Sequence, residues 1–117
     1  MARKSPGSRG EMLAGTLDML ILRTLQQGPA HGHTIAQIIE RSSHDVLEVE
    51  QGSLYPALYK LEDLGLVASF WGTSEANRRA KYYRITPSGR KHLTAERSRW
   101  ETLVRAVGAM LGPVTEQ

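Results

Sequence analysis

Gly52-Ser53-Leu54-Tyr55-Pro56-Ala57-Leu58-Tyr59-Lys60-Leu61-Glu62-Asp63-Leu64-Gly65 is the stretch on which the reading of this chain turns. Leu54, Leu58 and Leu61 recur at helical spacing, with Ala57 and Leu64 beside them, so one face is apolar. At about 100° per residue the opposite face holds Gly52, Pro56, Tyr59 and Asp63, with Tyr55 on one flank and Ser53 and Lys60 on the other. Pro56 falls near the first turn, where a missing N–H costs least, and Gly65 supplies a stop. The spacing predicts a short helix, buried on one side, whose outer face opens with small and flat residues. Such a helix end can approach another surface closely, and the DNA major groove is wide enough to admit it. The competing reading is a half-buried helix with an ordinary solvated face, and this stretch alone leaves both open.

Downstream of Gly65 the period changes. Leu66-Val67-Ala68-Ser69-Phe70-Trp71-Gly72 and Lys81-Tyr82-Tyr83-Arg84-Ile85-Thr86 read as two strands, joined by a polar, turn-like segment from Thr73 to Ala80. That segment is expected to carry Arg78 and Arg79 at the return edge of a hairpin. Thr86 then serves as N-cap and Pro87 as first residue of a last helix running to about Leu111, where Gly112-Pro113 stops it. Along it Leu93, Trp100, Leu103, Val104, Val107, Met110 and Leu111 repeat in steps of three, four and seven, the pattern of a coiled-coil seam. A partner subunit is the economical cover for that seam; folding back onto the same domain is the alternative.

Upstream, Glu11 to Gln27 reads as a helix apolar around most of its circumference, through Met12, Leu13, Leu17, Met19, Leu20, Ile21, Leu22 and Leu25, and ended by Gly28-Pro29. His31 to Ser43 is a second helix with Ile35, Ile38 and Ile39 on one stripe, and His33 is expected to pack at its start. His31-Gly32-His33 with no third ligand at useful spacing and no cysteine makes a poor metal site, and no metal or cofactor is expected. Asp45 to Gln51, with Val46, Leu47 and Val49, is either a brief strand or an apolar connection. Met1 to Gly10 reads as a disordered basic arm.

The 117 residues amount to one domain, and the formal charge of +3 is modest. Its distribution is not even. Arg78, Arg79, Lys81, Arg84, Arg90, Lys91, Arg97 and Arg99 face a single acid, Glu96, whereas Glu40 to Glu50 is acidic. A basic block on a near-neutral chain is the footprint of a polyanionic partner, or else a solvated face. The absence of cysteine fits a reducing cytoplasm, no apolar run is long enough to span a bilayer, and the basic first residues lack the apolar core of a signal peptide. No nucleophile with a partnered base, phosphate-binding glycine loop or carboxylate pair marks an enzyme. RNA binding is disfavoured by the lack of an aromatic sheet face for stacking. A winged-helix module that binds protein rather than DNA remains the alternative; its discriminator is the wing, which in that case need not keep Arg78, Arg79 and Lys81 beside a close-approach helix.

Three helices followed by a basic-tipped hairpin is the layout of a winged helix-turn-helix. The fold class expected is mainly α with a small β-hairpin: a basic arm over 1–10, a winged helix-turn-helix over 11–86, a C-terminal dimerisation helix over 87–111 and a tail over 112–117. The chain resembles the PadR family of bacterial transcriptional regulators from about Gly15 to Trp100. The resemblance is carried by Gly15-Thr16-Leu17-Asp18-Met19-Leu20-Ile21-Leu22, His31-Gly32, Gly52 to Leu58, Leu61-Glu62, Trp71-Gly72, Arg78 to Thr86 and Gly89-Arg90. It implies a homodimeric winged-helix regulator, usually a repressor, of the small subclass with a single C-terminal dimerisation helix. Where the family has Gly-Tyr at the start of the second helix, this chain has Gly32-His33, a smaller and titratable ring.

Double-stranded DNA is thus the expected partner. Ser53, Tyr55, Pro56, Tyr59 and Lys60 are expected nearest the groove, with Lys60 on phosphate and the tyrosines on phosphate or a thymine methyl; Arg78, Arg79 and Lys81 are expected to clamp the backbone. No arginine or asparagine stands on that helix for bidentate base reading, so DNA shape is expected to contribute. In family members that bind flat aromatic molecules a tryptophan matching Trp100 faces its dimer mate, which implies a small aromatic effector here; plain seam packing is the other role open to Trp100.

Overall fold

A computed structural model of the chain describes residues 15–113. Its elements run α1 (Thr16–Gln26), β1 (Ala30–His31), α2 (Gly32–Ser42), α3 (Gln51–Asp63), β2 (Val67–Thr73), β3 (Arg79–Ile85) and α4 (Pro87–Leu111). The helices expected from the sequence are all present. The expected basic arm, and the part of the first helix from Glu11 to Ala14, lie outside the described residues.

One apolar core joins the elements. Ile21, Leu22 and Leu25 from α1, Ile35 and Ile39 from α2, Leu54, Leu58 and Leu61 from α3, and Val67, Tyr83 and Ile85 from the sheet are all buried. The leucine stripe of α3 is therefore its inner face, as its spacing predicts. Leu64 does not extend that stripe. It is the C-cap residue and is exposed, because the chain turns away through Gly65 at φ 75°, a left-handed conformation that suits glycine.

The connection from α2 to α3 forms no strand. Val49 is buried, Leu47 half-buried and Val46 exposed, and the Val49 N–H donates to Glu40 Oε2 at 2.9 Å. His44 and Asp45 both take left-handed backbone there.

The sheet is larger than the hairpin expected. Its order is β1-β3-β2, all antiparallel, with Ala30 opposite Tyr83 and His31 opposite Tyr82. Two residues are too few to show a period in the sequence. β3 also begins earlier than expected, so Arg79 lies in the strand opposite Thr73 rather than in the loop. Residues 74–78 make the turn, with Asn77 at φ 61°.

α4 starts as the sequence indicates. Thr86 Oγ1 accepts from the Gly89 N–H at 3.0 Å, and Pro87 occupies the first turn. Gly89 is buried against the Leu66 carbonyl, and the Thr86 N–H donates to that same oxygen at 3.1 Å. One expected seam residue is reassigned. Leu93 is 4% exposed and belongs to the core of its own domain, because the first turns of α4 still lie across α1 and β3. Beyond it Trp100, Leu103, Val104, Val107, Met110 and Leu111 are exposed.

Candidate nucleic-acid interface

The outward surface of α3 begins with small and flat groups. Gly52, Ser53 and Pro56 are exposed, Tyr59 is half-exposed, and Tyr55 is partly covered. Tyr55 is held from behind by the start of α2. A Cβ on Gly32 would lie 2.6 Å from the Tyr55 hydroxyl and 2.8 Å from Cζ, so only glycine leaves room for that ring. The two tyrosine rings are neighbours, with centroids 6.4 Å apart.

His31 caps α2: its Nδ1 accepts from the Thr34 N–H at 3.4 Å, and its ring meets Tyr82 edge-on at 5.3 Å. The sequence pattern puts His33 in the packed position at the start of α2. Instead His33 is exposed, 6.5 Å from the His31 ring, because His31 is the residue that pairs with β3.

Between the start of α2, the outer flank of α3 and the inner face of the wing lies an open trough of about 360 Å³. Aromatic rings line it from three elements: Tyr55 and Tyr59 from α3, Trp71 from β2 and Tyr83 from β3. Two cations lie among them. The Arg79 guanidinium stacks 4.4 Å above the Trp71 ring, and Lys81 Nζ sits 5.7 Å from the Tyr59 ring and 5.6 Å from that of Tyr83. Strand alternation places Trp71, Arg79, Lys81 and Tyr83 on one face of the hairpin, the face toward α3.

The expected basic residues divide into two groups. Arg78 and Arg79 have no acidic side chain within ion-pair distance among the described residues. Lys81 lies 3.5 Å from Glu62 Oε1, and Lys60 lies 2.6 Å from Asp18 Oδ2 on α1. Glu62 in turn accepts from the Ser69 hydroxyl at 2.6 Å. Burial pushes the Tyr83 hydroxyl up to about 12, with Tyr59, Glu62 and Tyr55 acting in the same direction.

A second concavity, about 220 Å³, opens between the start of α1 and the middle of α4. Met19, Trp100 and Leu103 give it an apolar wall, and Glu96 and Arg99, hydrogen-bonded to each other, form a polar edge. Among the described residues no group of three or more His, Cys, Asp or Glu could hold a metal ion, and no helix is long and apolar enough to cross a membrane.

A model of the transcriptional regulator PadR-like family matches residues 21–95, which take in α2, α3, the wing and the start of α4. The chain belongs to the PadR-like family of transcriptional regulators. A protein named as a transcriptional regulator in Mycobacterium tuberculosis is 36% identical to this PadR-like chain over 87 residues, covering 74% of it and 78% of the relative. Among solved structures, a PadR family transcriptional regulator from Eggerthella lenta superposes with a TM-score of 0.72 at 33% identity, covering 86% of this chain and 85% of the other. A transcriptional regulator from Clostridium thermocellum gives 0.74 at 29% identity, with 81% and 92% covered. The family is one of regulators and not of enzymes, as the sequence reading expected.

In this PadR-like chain Trp71, which the sequence places in a strand and in the family resemblance but not among the site residues, also belongs to the site. The register explains it: with Thr73 opposite Arg79, Trp71 lies opposite Lys81 and diagonal to Arg79, within reach of a long cationic side chain, whereas a loop over Thr73 to Ala80 hides that pairing.

Proposed function

We propose that this chain is a sequence-specific DNA-binding regulator. On this reading α3 enters the major groove, with Ser53, Tyr55, Pro56 and Tyr59 nearest the bases and sugars, and Arg78 and Arg79 of the wing hold the flanking phosphate backbone. The observation that carries it is the pairing of a slim, exposed α3 end with a wing whose Arg79 guanidinium lies over the Trp71 ring. Stacking leaves the guanidinium edge, with its N–H donors, for phosphate. Lys81 lies deeper, its charge shared with Glu62, and serves the backbone clamp from the floor of the trough.

The regulator acts as a homodimer, in the cytoplasm, as a repressor at an inverted repeat. The exposed apolar strip from Trp100 to Leu111 supports dimerisation through α4, because a single chain leaves those side chains in water. The cleft at Met19, Trp100 and Leu103 suits a small, flat aromatic effector that would release DNA.

The test is binding of the purified protein to DNA from immediately upstream of its own gene, across a series of salt concentrations, against random DNA. The expected result is tight, salt-sensitive and selective binding, with footprints on two half-sites about one helical turn apart. Absence of binding to either DNA at low salt would refute the reading. For the effector, quenching of Trp fluorescence by a panel of flat aromatics should be lost in Trp100→Phe.

A further inference from the structure

Lys60 lies two turns along α3 from Ser53, on the same flank of the helix. Its ammonium is not directed at open solvent alone, for Asp18 Oδ2 is 2.6 Å away. The Asp18 side chain is only 16% exposed, against 56% for Lys60. A carboxylate so far withdrawn from water requires a partner, and Lys60 supplies it. Asp18 is itself well placed, in the first turn of α1, where the helix dipole favours negative charge.

On the other flank of α3, about 200° around the axis from Lys60, Glu62 is tied to the wing through Ser69 and Lys81. The buried leucine stripe runs between these two polar attachments. The packed leucine stripe fixes which face of α3 lies inward, and the polar attachments on its two flanks act on the small rotation that packing leaves. The two attachments are directional and set it from both sides. A phosphate approaching Lys60 would also meet the Asp18 carboxylate that already neutralises it.

We propose that Lys60 is a positioning residue of α3 and not a phosphate contact: its ion pair with Asp18 sets the rotation of the helix, and with it the aim of Tyr55, Pro56 and Tyr59. The proposal rests on the DNA-binding reading of α3. It also gives α1 a role in that reading, since Met19, the neighbour of Asp18, lines the cleft with Trp100.

The experiment compares wild type, Asp18→Asn, Lys60→Gln, the double variant and Lys60→Arg on two duplexes, one selected by this protein from random sequence and one scrambled. In each single variant the preference for the selected duplex should fall about fivefold, the scale of a half-exposed ion pair, with no further fall in the double variant and little in Lys60→Arg. The slope of affinity against salt should stay at its wild-type value. The opposite result overturns the proposal: Asp18→Asn binding both duplexes more tightly, and Lys60→Gln weakening both and lowering the salt slope by about one. Amide hydrogen exchange on the DNA-free proteins is the independent arm. Exchange in α3 should quicken in both single variants, and unchanged exchange would overturn the proposal whatever the DNA result. If selection recovers no preferred duplex, the DNA-binding reading fails, and the exchange arm still decides the role of the pair.

Discussion

Gly89→Ala places a methyl group where α4 meets the base of the wing. The new Cβ would lie 2.1 Å from the Leu66 carbonyl oxygen, 2.8 Å from Ile85 Cγ1 and 3.1 Å from the Leu66 carbonyl carbon. Relief requires the first turn of α4 to withdraw by roughly an ångström, since non-bonded carbons prefer about 3.5–4.0 Å. The obstacle is backbone, so a rotamer change cannot absorb the clash. Withdrawal strains two bonds that dock the helix: the Thr86 N–H to Leu66 at 3.1 Å, and the Thr86 hydroxyl to the Gly65 carbonyl at 2.7 Å. Overpacking costs about 1–3 kcal/mol and each weakened hydrogen bond up to about 1 kcal/mol, while Ala returns about 1 kcal/mol of helix propensity. The net expectation is a loss of about 2 kcal/mol, or roughly 10 °C in Tm for a chain of this size. Urea denaturation followed by far-UV circular dichroism measures it. Gly108→Ala on the same helix is the control, because among the described residues nothing beyond its own helical turn lies within 4 Å of its Cβ, and it should gain up to about 1 kcal/mol. A Gly89→Ala protein as stable as the wild type would show that α4 can move off the Leu66 carbonyl without cost. A loss at Gly108 would mean that the space open in one chain is filled by its partner.

Gly32→Ala should displace the Tyr55 ring, reducing DNA affinity about tenfold while changing the urea midpoint little; equal affinity would show that the ring position does not matter to binding. Leu93→Ala should cost about 2–5 kcal/mol of stability, whereas Val107→Glu should keep the fold intact and abolish the dimer proposed through α4, as read by analytical ultracentrifugation; the reverse assignment would return Leu93 to the seam. Tyr83 keeps its proton in the folded state to about pH 12, so its contribution is intact below pH 10 and is lost as pH rises between the two. At pH 11 the wild type should have lost about 1 kcal/mol more than Tyr83→Phe, relative to pH 9; identical losses would exclude Tyr83 as the cause. Arg79→Ala should weaken binding to all duplexes alike and flatten the salt slope, and a relaxed sequence preference at an unchanged slope would contradict its role as a backbone contact.

Where local chemistry repeats or caps, the sequence was enough to place structure. The spacing of Leu54, Leu58 and Leu61 identified the inner face of α3, and Thr86-Pro87 located the start of α4. Leu93 shows why periodicity can mislead: the same apolar step serves the domain core for the first turns of α4 and an outside surface afterwards, and the letter pattern does not change where the cover does. Lys60 and Lys81 show the corresponding limit for charge. Composition counted them with the basic surface, but their partners Asp18 and Glu62 come from distant or turned-away positions that only the packed helices bring near. Trp71 meets Arg79 only because the strands pair as far as Thr73 and Arg79, a register that the polar letters from Thr73 to Ala80 conceal.

The pairing of β1 with β3 has a mechanical consequence. Ala30 and His31 pair with β3, and His31 also caps α2, so a swing of the wing would pull on the start of that helix. A reader built as one stiff template cannot mould itself to a duplex of the wrong groove width. In the proposed complex the adjustment would fall on the DNA, at a cost that depends on how readily each base step bends or twists. On the proposed DNA-binding role, α3 offers Gln51 at its first position but no arginine or asparagine to read base edges, and such stiffness would add to the means of telling one sequence from another.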